Sequence, residues 1–267
     1  MAELNIAVCV KPVPDSDHYD KMKLDPVTKT LIRAGIPIEI NPTDKHAVEL
    51  ALQVKAKHGG KITIFAMAPE DTKDRLMEVL AMGADEAVIL SDREFAGADT
   101  VATSYTLAEG IKKTGEFDLV ITGNESSDGG TAHVCAQLGE WLEVPHLMNV
   151  IGFELEDNKA RVKTKIENGH MAYELELPAV IGASHELNTP RHTNVMGMLK
   201  AKKKPITIIN ADQLGANKEY LGLIGSPTQP GEIFMPNMDR ATEELDGELE
   251  EIAEKIVTII KKSGIAY

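Results

Sequence analysis

Phe117-Asp118-Leu119-Val120-Ile121-Thr122-Gly123-Asn124-Glu125-Ser126-Ser127-Asp128-Gly129-Gly130-Thr131-Ala132 joins an apolar run to a turn of small and polar residues. The first six residues read as a buried strand. Residues 132–141 carry Val134, Leu138 and Trp141 on one side and read as a helix. A strand, a glycine-rich turn and a helix start bring unpaired backbone N–H groups and a positive dipole end to one place, which suits a phosphate. Small residues let a pyrophosphate approach the main chain, and Ser126 and Thr131 add hydroxyl donors. The same residues also fit a plain strand-to-helix loop with Asp128 or Thr131 as N-cap.

The pattern repeats on the N-terminal side. Residues 4–10, 61–68 and 86–90 read as strands, and residues 44–57, 71–82 and 99–113 as helices. This alternation predicts an α/β fold with a mostly parallel sheet and helices on both faces. In such sheets a ligand binds beyond the carboxyl ends of the strands, near a reversal of strand order. Residues 22–31 interrupt the rhythm as a small hairpin turning at Asp25-Pro26. After Pro145, residues 159–166 and 171–177 alternate around Glu167-Asn168-Gly169 as a second hairpin, and residues 178–184 and 205–209 read as further strands. Residues 211–239 hold several Gly and Pro without a period and read as an extended arm. Residues 243–262 form an amphipathic helix with Leu245, Leu249, Ile252, Ile256 and Ile259 on one side. The expected division is a nucleotide-binding domain over residues 1–210 and an arm with its helix over residues 211–267, docking on a partner subunit or folding back on its own core.

Composition removes several classes. The net charge of −14 opposes nucleic acid as a partner. Aromatic residues make up 4 % of the chain, too few for base-stacking platforms. No run of about 18 apolar residues predicts a membrane span, and no basic region followed by an apolar stretch opens the chain, so a cytoplasmic location is expected. The 2 cysteines, Cys9 and Cys135, make no disulfide framework, and the 8 histidines show no metal spacing, so no metal site is expected. Cys9, inside an apolar strand, reads as a small buried hydrophobe.

Three further positions fall near the predicted ligand edge. Lys11 follows the first strand, where its ammonium reaches a phosphate or stays solvated. Asn41 and Asp44 flank Pro42, so that one caps the helix and the other meets the ligand. Met67 ends the second strand and lines the ligand edge or fills core.

Several segments taken in order resemble the β subunit of electron transfer flavoproteins. They are Val8-Cys9-Val10-Lys11, Asn41-Pro42-Thr43-Asp44, Ala81-Met82-Gly83-Ala84-Asp85, the Gly123–Val134 loop and helix, Arg191-His192-Thr193-Asn194-Val195-Met196, and Lys200-Ala201-Lys202-Lys203-Lys204. The resemblance implies a HUP-like α/β fold that binds an adenine nucleotide and pairs with an FAD-binding α subunit. In ordinary members the nucleotide is AMP, a structural ligand; in electron-bifurcating members the site holds a second FAD reduced by NADH. Ser91-Asp92-Arg93-Glu94-Phe95-Ala96-Gly97-Ala98-Asp99-Thr100, followed by Val101-Ala102-Thr103-Ser104, looks like the bifurcating kind. Gly97 and Ala98 then leave space for a ligand, Asp99 takes a ribose or ribityl hydroxyl, and Thr100 and Thr103 donate; capping of a helix by Asp99 is the alternative.

The cofactor-binding positions implied are therefore Cys9, Lys11, Asn41, Asp44, Met67, Gly97, Ala98, Asp99, Thr100, Thr103, Gly123, Asn124, Ser126, Asp128, Gly129, Gly130, Thr131, Ala132 and Val134. Glu125 is expected to point away from a pyrophosphate. Asn124 stands where many relatives carry a basic or Gln-Ala-containing version, which leaves neutralisation to N–H groups, Lys11 or the partner. The resemblance also implies a recognition loop for a flavin-dependent dehydrogenase of acyl-CoA or lactate type, with Val195, Met196 and Met198 at its apolar tip and the lysines after it facing acidic surface. Ferredoxin is the second electron acceptor implied.

Overall fold

The computed structural model describes residues 3–229, apart from 22, 25–30 and 33–34, and residues 242–264. The chain divides into two units, residues 1–231 and 232–267.

In the first unit the strands are β1 (Asn5–Cys9), β2 (Pro12–Pro14), β3 (Lys23–Leu24), β4 (Leu31–Ile32), β5 (Ile38–Ile40), β6 (Lys61–Met67), β7 (Glu86–Leu90), β8 (Leu119–Gly123), β9 (His146–Glu156), β10 (Lys159–Ile166), β11 (Gly169–Glu176), β12 (Ala179–Ala183) and β13 (Ile206–Ile209). The helices are α1 (Pro42–His58), α2 (Lys73–Met82), α3 (Thr100–Thr114), α4 (Val134–Leu142), α5 (Val195–Ala201) and α6 (Ala211–Leu214). Nine strands form one sheet in the order β11-β10-β9-β12-β8-β1-β6-β7-β13. Pairing from β9 to β13 is parallel throughout, and β10 and β11 extend it as an antiparallel wing.

Both faces of the parallel part are covered, which is why its central strands β1, β6, β7, β8 and β12 are mostly apolar. Ile6 and Val8 of β1 join α1 and α2 in one buried cluster, while Ala7 and Cys9 join α3 and α4 in the other. The chain builds β1, β6 and β7 to one side and then returns to place β8 on the other side of β1. Strand order therefore reverses between β1 and β8, and the carboxyl ends of these two strands open the crevice where such sheets take ligands.

The expected elements are present with end shifts. The helix expected from Ala132 begins at Val134, because Ala132 takes a left-handed φ of 56° that helix geometry forbids. The helix expected from Asp71 opens as a tighter turn over Glu70–Thr72 and becomes α2 at Lys73. β9 was not anticipated. Its pairing with β12 slips between Ile181 and Ala183, and Asn149 there has a φ of 54°, so polar and apolar residues do not alternate. The flanks of the first hairpin pair as β3 with β4; its turn at Asp25-Pro26 lies outside the described residues.

Residues 211–229, expected to open an extended arm, belong to the first unit: α6 carries a capping box at Asn210, and Leu221 and Ser226 are buried. In the second unit α7 (Leu249–Lys262) has an acidic first turn and a basic last turn, in accord with its dipole. It starts six residues later than expected, after Gly247 at a φ of 137°, which leaves Leu245 outside the helix. Leu249, Ile256, Val257, Ile259 and Ile260 are exposed.

Candidate functional site

The crevice is built from three turns. The turn after β8 is tied to the start of α1: Thr43 Oγ1 and Asn41 Nδ2 both donate to the Glu125 carbonyl, at 2.6 and 2.8 Å, and the Ser127 N–H donates to Asn41 Oδ1 at 3.0 Å. Asn41 also donates to Asp44 Oδ1 at 2.9 Å, while the Lys11 N–H donates to Asp44 Oδ2 at 2.7 Å. Asp44 is buried. Burial pushes its carboxyl up to about 7, against the pull of hydrogen bonds from Asn41, Lys11 and Gly123 and of the Lys11 charge. Neither Asn41 nor Asp44 is left over for a ligand in the expected division of labour; both hold the turn.

Gly123 has a steric cause. A Cβ there would lie 2.2 Å from Asp44 Oδ1 and 2.9 Å from the Asp44 backbone nitrogen, so β8 ends as glycine because α1 starts against it. Beyond it the turn opens. Gly129 and Gly130 are exposed. Gly130 has a φ of 61° with open space where a side chain would stand. Thr131 is exposed and Ala132 half-buried. Lys11 Nζ reaches across to Asp128 Oδ1 at 2.6 Å and to Ser126 Oγ at 3.4 Å, so it is paired while its side chain stays exposed. Asn124 accepts the Asn149 N–H through Oδ1 at 3.0 Å, which braces the turn to the bulge in β9. Glu125 is exposed.

Cys9 is buried. Burial above all, with the Asp44 and Cys135 charges, holds its thiol far above the usual range, an inert state. Met67 is half-buried against the α3 and α4 side of the core.

The turn before α3 differs from expectation. Asp99 does cap the helix, its Oδ1 accepting from the Val101 and Ala102 N–H groups at 2.9 and 3.1 Å. Its Oδ2 accepts from the Thr228 N–H at 3.0 Å and from Thr228 Oγ1 at 2.6 Å. The space beside Gly97 is filled by Leu223, 3.3 Å from where a Cβ would stand. Gly97 thus lies against the chain's own Leu223. Thr100 Oγ1 accepts from Gln137 Nε2 at 3.2 Å, which brings the starts of α3 and α4 together. Thr103 is half-buried one turn further along.

Residues 191–204 are not a loop throughout. Val195–Ala201 form α5, capped by Asn194, with Val195 76 % and Met196 63 % exposed; Met198 and Leu199 are also exposed. Arg191 Nε and Nη2 grip the buried Glu49 at 2.7 and 2.9 Å. Lys204, expected to face acidic surface, donates instead to the Leu80 and Ala84 carbonyls at the end of α2, and burial lowers its pKa. Lys200, Lys202 and Lys203 remain exposed.

The electron transfer flavoprotein domain profile matches residues 28–214, more than half of the chain. The chain belongs to the electron transfer flavoprotein family. It is 42 % identical over 255 residues to an electron transfer flavoprotein subunit beta from Thermoanaerobacterium thermosaccharolyticum, covering 95 % of this chain and 96 % of that one. It is 41 % identical over 264 residues to subunit CarD of the caffeyl-CoA reductase-Etf complex from Acetobacterium woodii, covering 98 % and 100 %. It is 34 % identical over 261 residues to the acryloyl-CoA reductase electron transfer subunit gamma of Anaerotignum propionicum, covering 95 % and 97 %. The chain is thus a β subunit of an electron transfer flavoprotein, a class that pairs with an α subunit. Within this family the α/β fold and the mostly parallel sheet are as expected. Among the described residues no helix is long and apolar enough to cross a membrane.

Sequence reasoning missed Thr43, Gln137, Asn149, Ser226 and Thr228. Thr43 sat inside a quoted motif and was readable as a hydroxyl beside a tight turn. Thr228 lies 129 residues from Asp99 and left no local signal.

Proposed function

We propose that this β subunit binds FAD in the crevice between β1 and β8 and works in electron bifurcation, with NADH as donor. The observation that carries the reading is the open glycine-rich turn at the strand-order reversal. Gly129, Gly130 and Thr131 offer backbone and hydroxyl donors at the mouth, and Lys11 lies across the same mouth. That donor set fits the pyrophosphate of a dinucleotide. Lys11, Ser126, Gly129, Gly130 and Thr131 would hold the phosphates, and Met67 would flank a ring. Bound there, FAD supplies hydride acceptance and release of the two electrons one at a time along different routes. The protein's part is to bind the cofactor, orient it and close its adenosine end off from water.

The acceptors in this reading are ferredoxin and a flavin-dependent dehydrogenase, of acyl-CoA rather than lactate type. The names of two relatives, a caffeyl-CoA and an acryloyl-CoA reductase subunit, favour that type. The exposed Val195, Met196 and Met198 of α5 form the dehydrogenase contact, and the exposed stripe of α7 docks on the α subunit. A cytoplasmic location follows from these partners. One observation favours the second reading, an AMP-binding scaffold without an NADH-reducible flavin. Asp99 and Gly97, at the heart of the bifurcating signature, are engaged by the chain itself.

Flavin counting decides between them. Two flavins in the αβ heterodimer, one bleached by NADH without dehydrogenase present, support bifurcation; one flavin and one AMP establish the scaffold. Thr131→Asp should put a carboxylate against the phosphates and empty the β site, and full nucleotide content in that variant would refute the placement. Val195→Asp should weaken dehydrogenase binding at least tenfold with nucleotide content unchanged.

A further inference from the structure

α1 serves two parts of the molecule at once. Its first turn holds the glycine-rich turn through Asn41 and Thr43. Just past that turn the same helix takes hold of residues 188–191, the segment that leads into α5. His46 Nδ1 lies 3.1 Å from Asn188 Oδ1, and Asn188 Nδ2 donates to the His46 carbonyl at 3.0 Å. The amide oxygen therefore faces the ring, which assigns a proton to His46 Nδ1. One turn further on, Glu49 accepts from Arg191 Nε at 2.7 Å, from Nη2 at 2.9 Å and from the Arg191 backbone N–H at 3.2 Å. Glu49 Oε1 also accepts from Gln53 Nε2 at 3.2 Å.

Glu49 is 5 % exposed, whereas Arg191 is open to water. A carboxylate taken out of water to hold one surface arginine adds little net stability, because desolvation offsets the attraction and apolar side chains of similar volume serve a fold as well. What the pair does supply is direction. A guanidinium meets a carboxylate edge-on in one orientation, and the backbone bond sets the main chain at Arg191 as well. Four residues later α5 begins. Val195, Met198 and Leu199 are spaced to share a face of it, and all three are exposed with Met196 beside them. Leu199, 52 % exposed, enlarges the apolar patch beyond the residues expected from sequence. Lys200, Lys202 and Lys203 follow, exposed. In a chain of net charge −14, lysines beside an apolar patch suit a partner with an apolar pocket and an acidic rim.

We propose that Glu49 is a positioning residue for partner docking: through Arg191 it sets the angle at which the α5 patch, Leu199 included, meets a dehydrogenase whose apolar pocket is rimmed by acidic residues. This rests on the reading of α5 as the dehydrogenase contact. Glu49 itself is buried and acts only through Arg191. From Asp44 to Glu49 the helix rises about 7.5 Å, so the glycine-rich turn and the docking segment are referred to one short rod while their contacts stay separate. Loss of the Glu49–Arg191 bonds therefore spoils docking and leaves the crevice as it is.

The test uses the αβ heterodimer, with a flavin-dependent acyl-CoA dehydrogenase that binds the wild-type heterodimer as the probe. Glu49→Leu combined with Arg191→Met removes both charges at similar volume. This double variant should unfold close to the wild-type temperature and keep its nucleotide, while calorimetry shows probe affinity down about tenfold or more. Arg191→Lys keeps the charge and the backbone N–H but not the planar fork. Compared with Arg191→Ala, it should recover thermal stability fully and probe affinity only in part. Wild-type affinity in the double variant, or in Arg191→Lys should the double variant not fold, would overturn the positioning role. So would affinity that merely follows thermal stability across the three variants, which would make the pair structural. Val195→Asp separates the two levels: if it leaves probe affinity unchanged, the docking reading of α5 falls too. If it weakens binding while the Glu49 and Arg191 variants do not, only the positioning role falls.

Discussion

Two turns at the same edge of the sheet each place an aspartate near a helix start, and their carboxyls are driven in opposite directions. Asp44, between β1 and the Gly-rich turn, is buried, and burial outweighs its hydrogen bonds to raise its pKa to about 7. Asp99, before α3, is only half-buried. Burial raises its pKa too, but the donors from Thr228, Ala102 and Val101 outweigh it and hold the carboxyl below its ordinary value. The number of donors does not separate the two; access to water does. The first turn is a buried part of the floor, and the second is a clasp at the surface, closed by Thr228.

The largest way to sharpen this contrast is pH. Asp44 has an ordinary value of 3.8 and a folded value of about 7, so across that window the native state holds a proton that the unfolded chain has released. Its contribution to stability is complete below 3.8 and is lost as pH rises toward 7, on the order of 4 kcal/mol from this group alone. Asp99 runs the other way: its contribution is present above its ordinary value of 3.8 and disappears as pH falls through its lower folded value. Urea unfolding of wild type and Asp44→Asn across the window is the check. The variant should lack the decline, and parallel profiles would mean that Asp44 is already charged in the folded protein.

Next in size is a methyl group added at each turn. Gly123→Ala drives Cβ against the Asp44 backbone nitrogen, 2.9 Å away, which cannot swing aside, and should cost about 3 kcal/mol. Gly97→Ala meets Leu223 less closely, its Cβ at 3.3 Å and its Cα at 3.9 Å. Its cost, mainly from the left-handed backbone, should be about 1 kcal/mol. Equal losses in thermal unfolding would show that the two turns are alike in rigidity.

The smallest effect concerns the clasp. Asp99→Ala removes a helix cap and the Thr228 hydrogen bonds, and should lower stability by about 1 kcal/mol. The compensation at the first turn differs, since Thr43→Val leaves Asn41 still bonded to the Glu125 carbonyl. Differential scanning calorimetry should therefore rank Asp99→Ala as the more damaging of the pair. The reverse order would place the tighter fastening at Thr43.

Much of the frame could be read from the chain. β1, β6, β7 and β8 announce themselves because strands buried on both faces are mostly apolar, and the place of strand-order reversal follows from their order. Gly123 was legible as a place of close approach, but the approaching group is the α1 backbone and side chain, which no strand-turn-helix pattern distinguishes from a phosphate. β9 escaped because one left-handed Asn149 breaks its alternation. α5 escaped because its seven residues are too few for a helical period to show. Lys204 read as one more surface lysine in a basic run. Only the packing of α5 against α2 turns it toward the Leu80 and Ala84 carbonyls.

Arg191 and Lys204 have a joint consequence. Each roots one end of the α5 segment in the body of the protein, one on the Glu49 carboxylate of α1 and the other on the carbonyl end of α2. The exposed Val195 and Met196 thus ride on a short span fixed at two piers, with Gly197 set tightly on the Ala81 carbonyl between them. Their backbone is held in one shape before anything arrives. A surface closing over them loses the freedom of a few side-chain rotors and little else, so a contact patch this small is able to bind more firmly than its area would indicate.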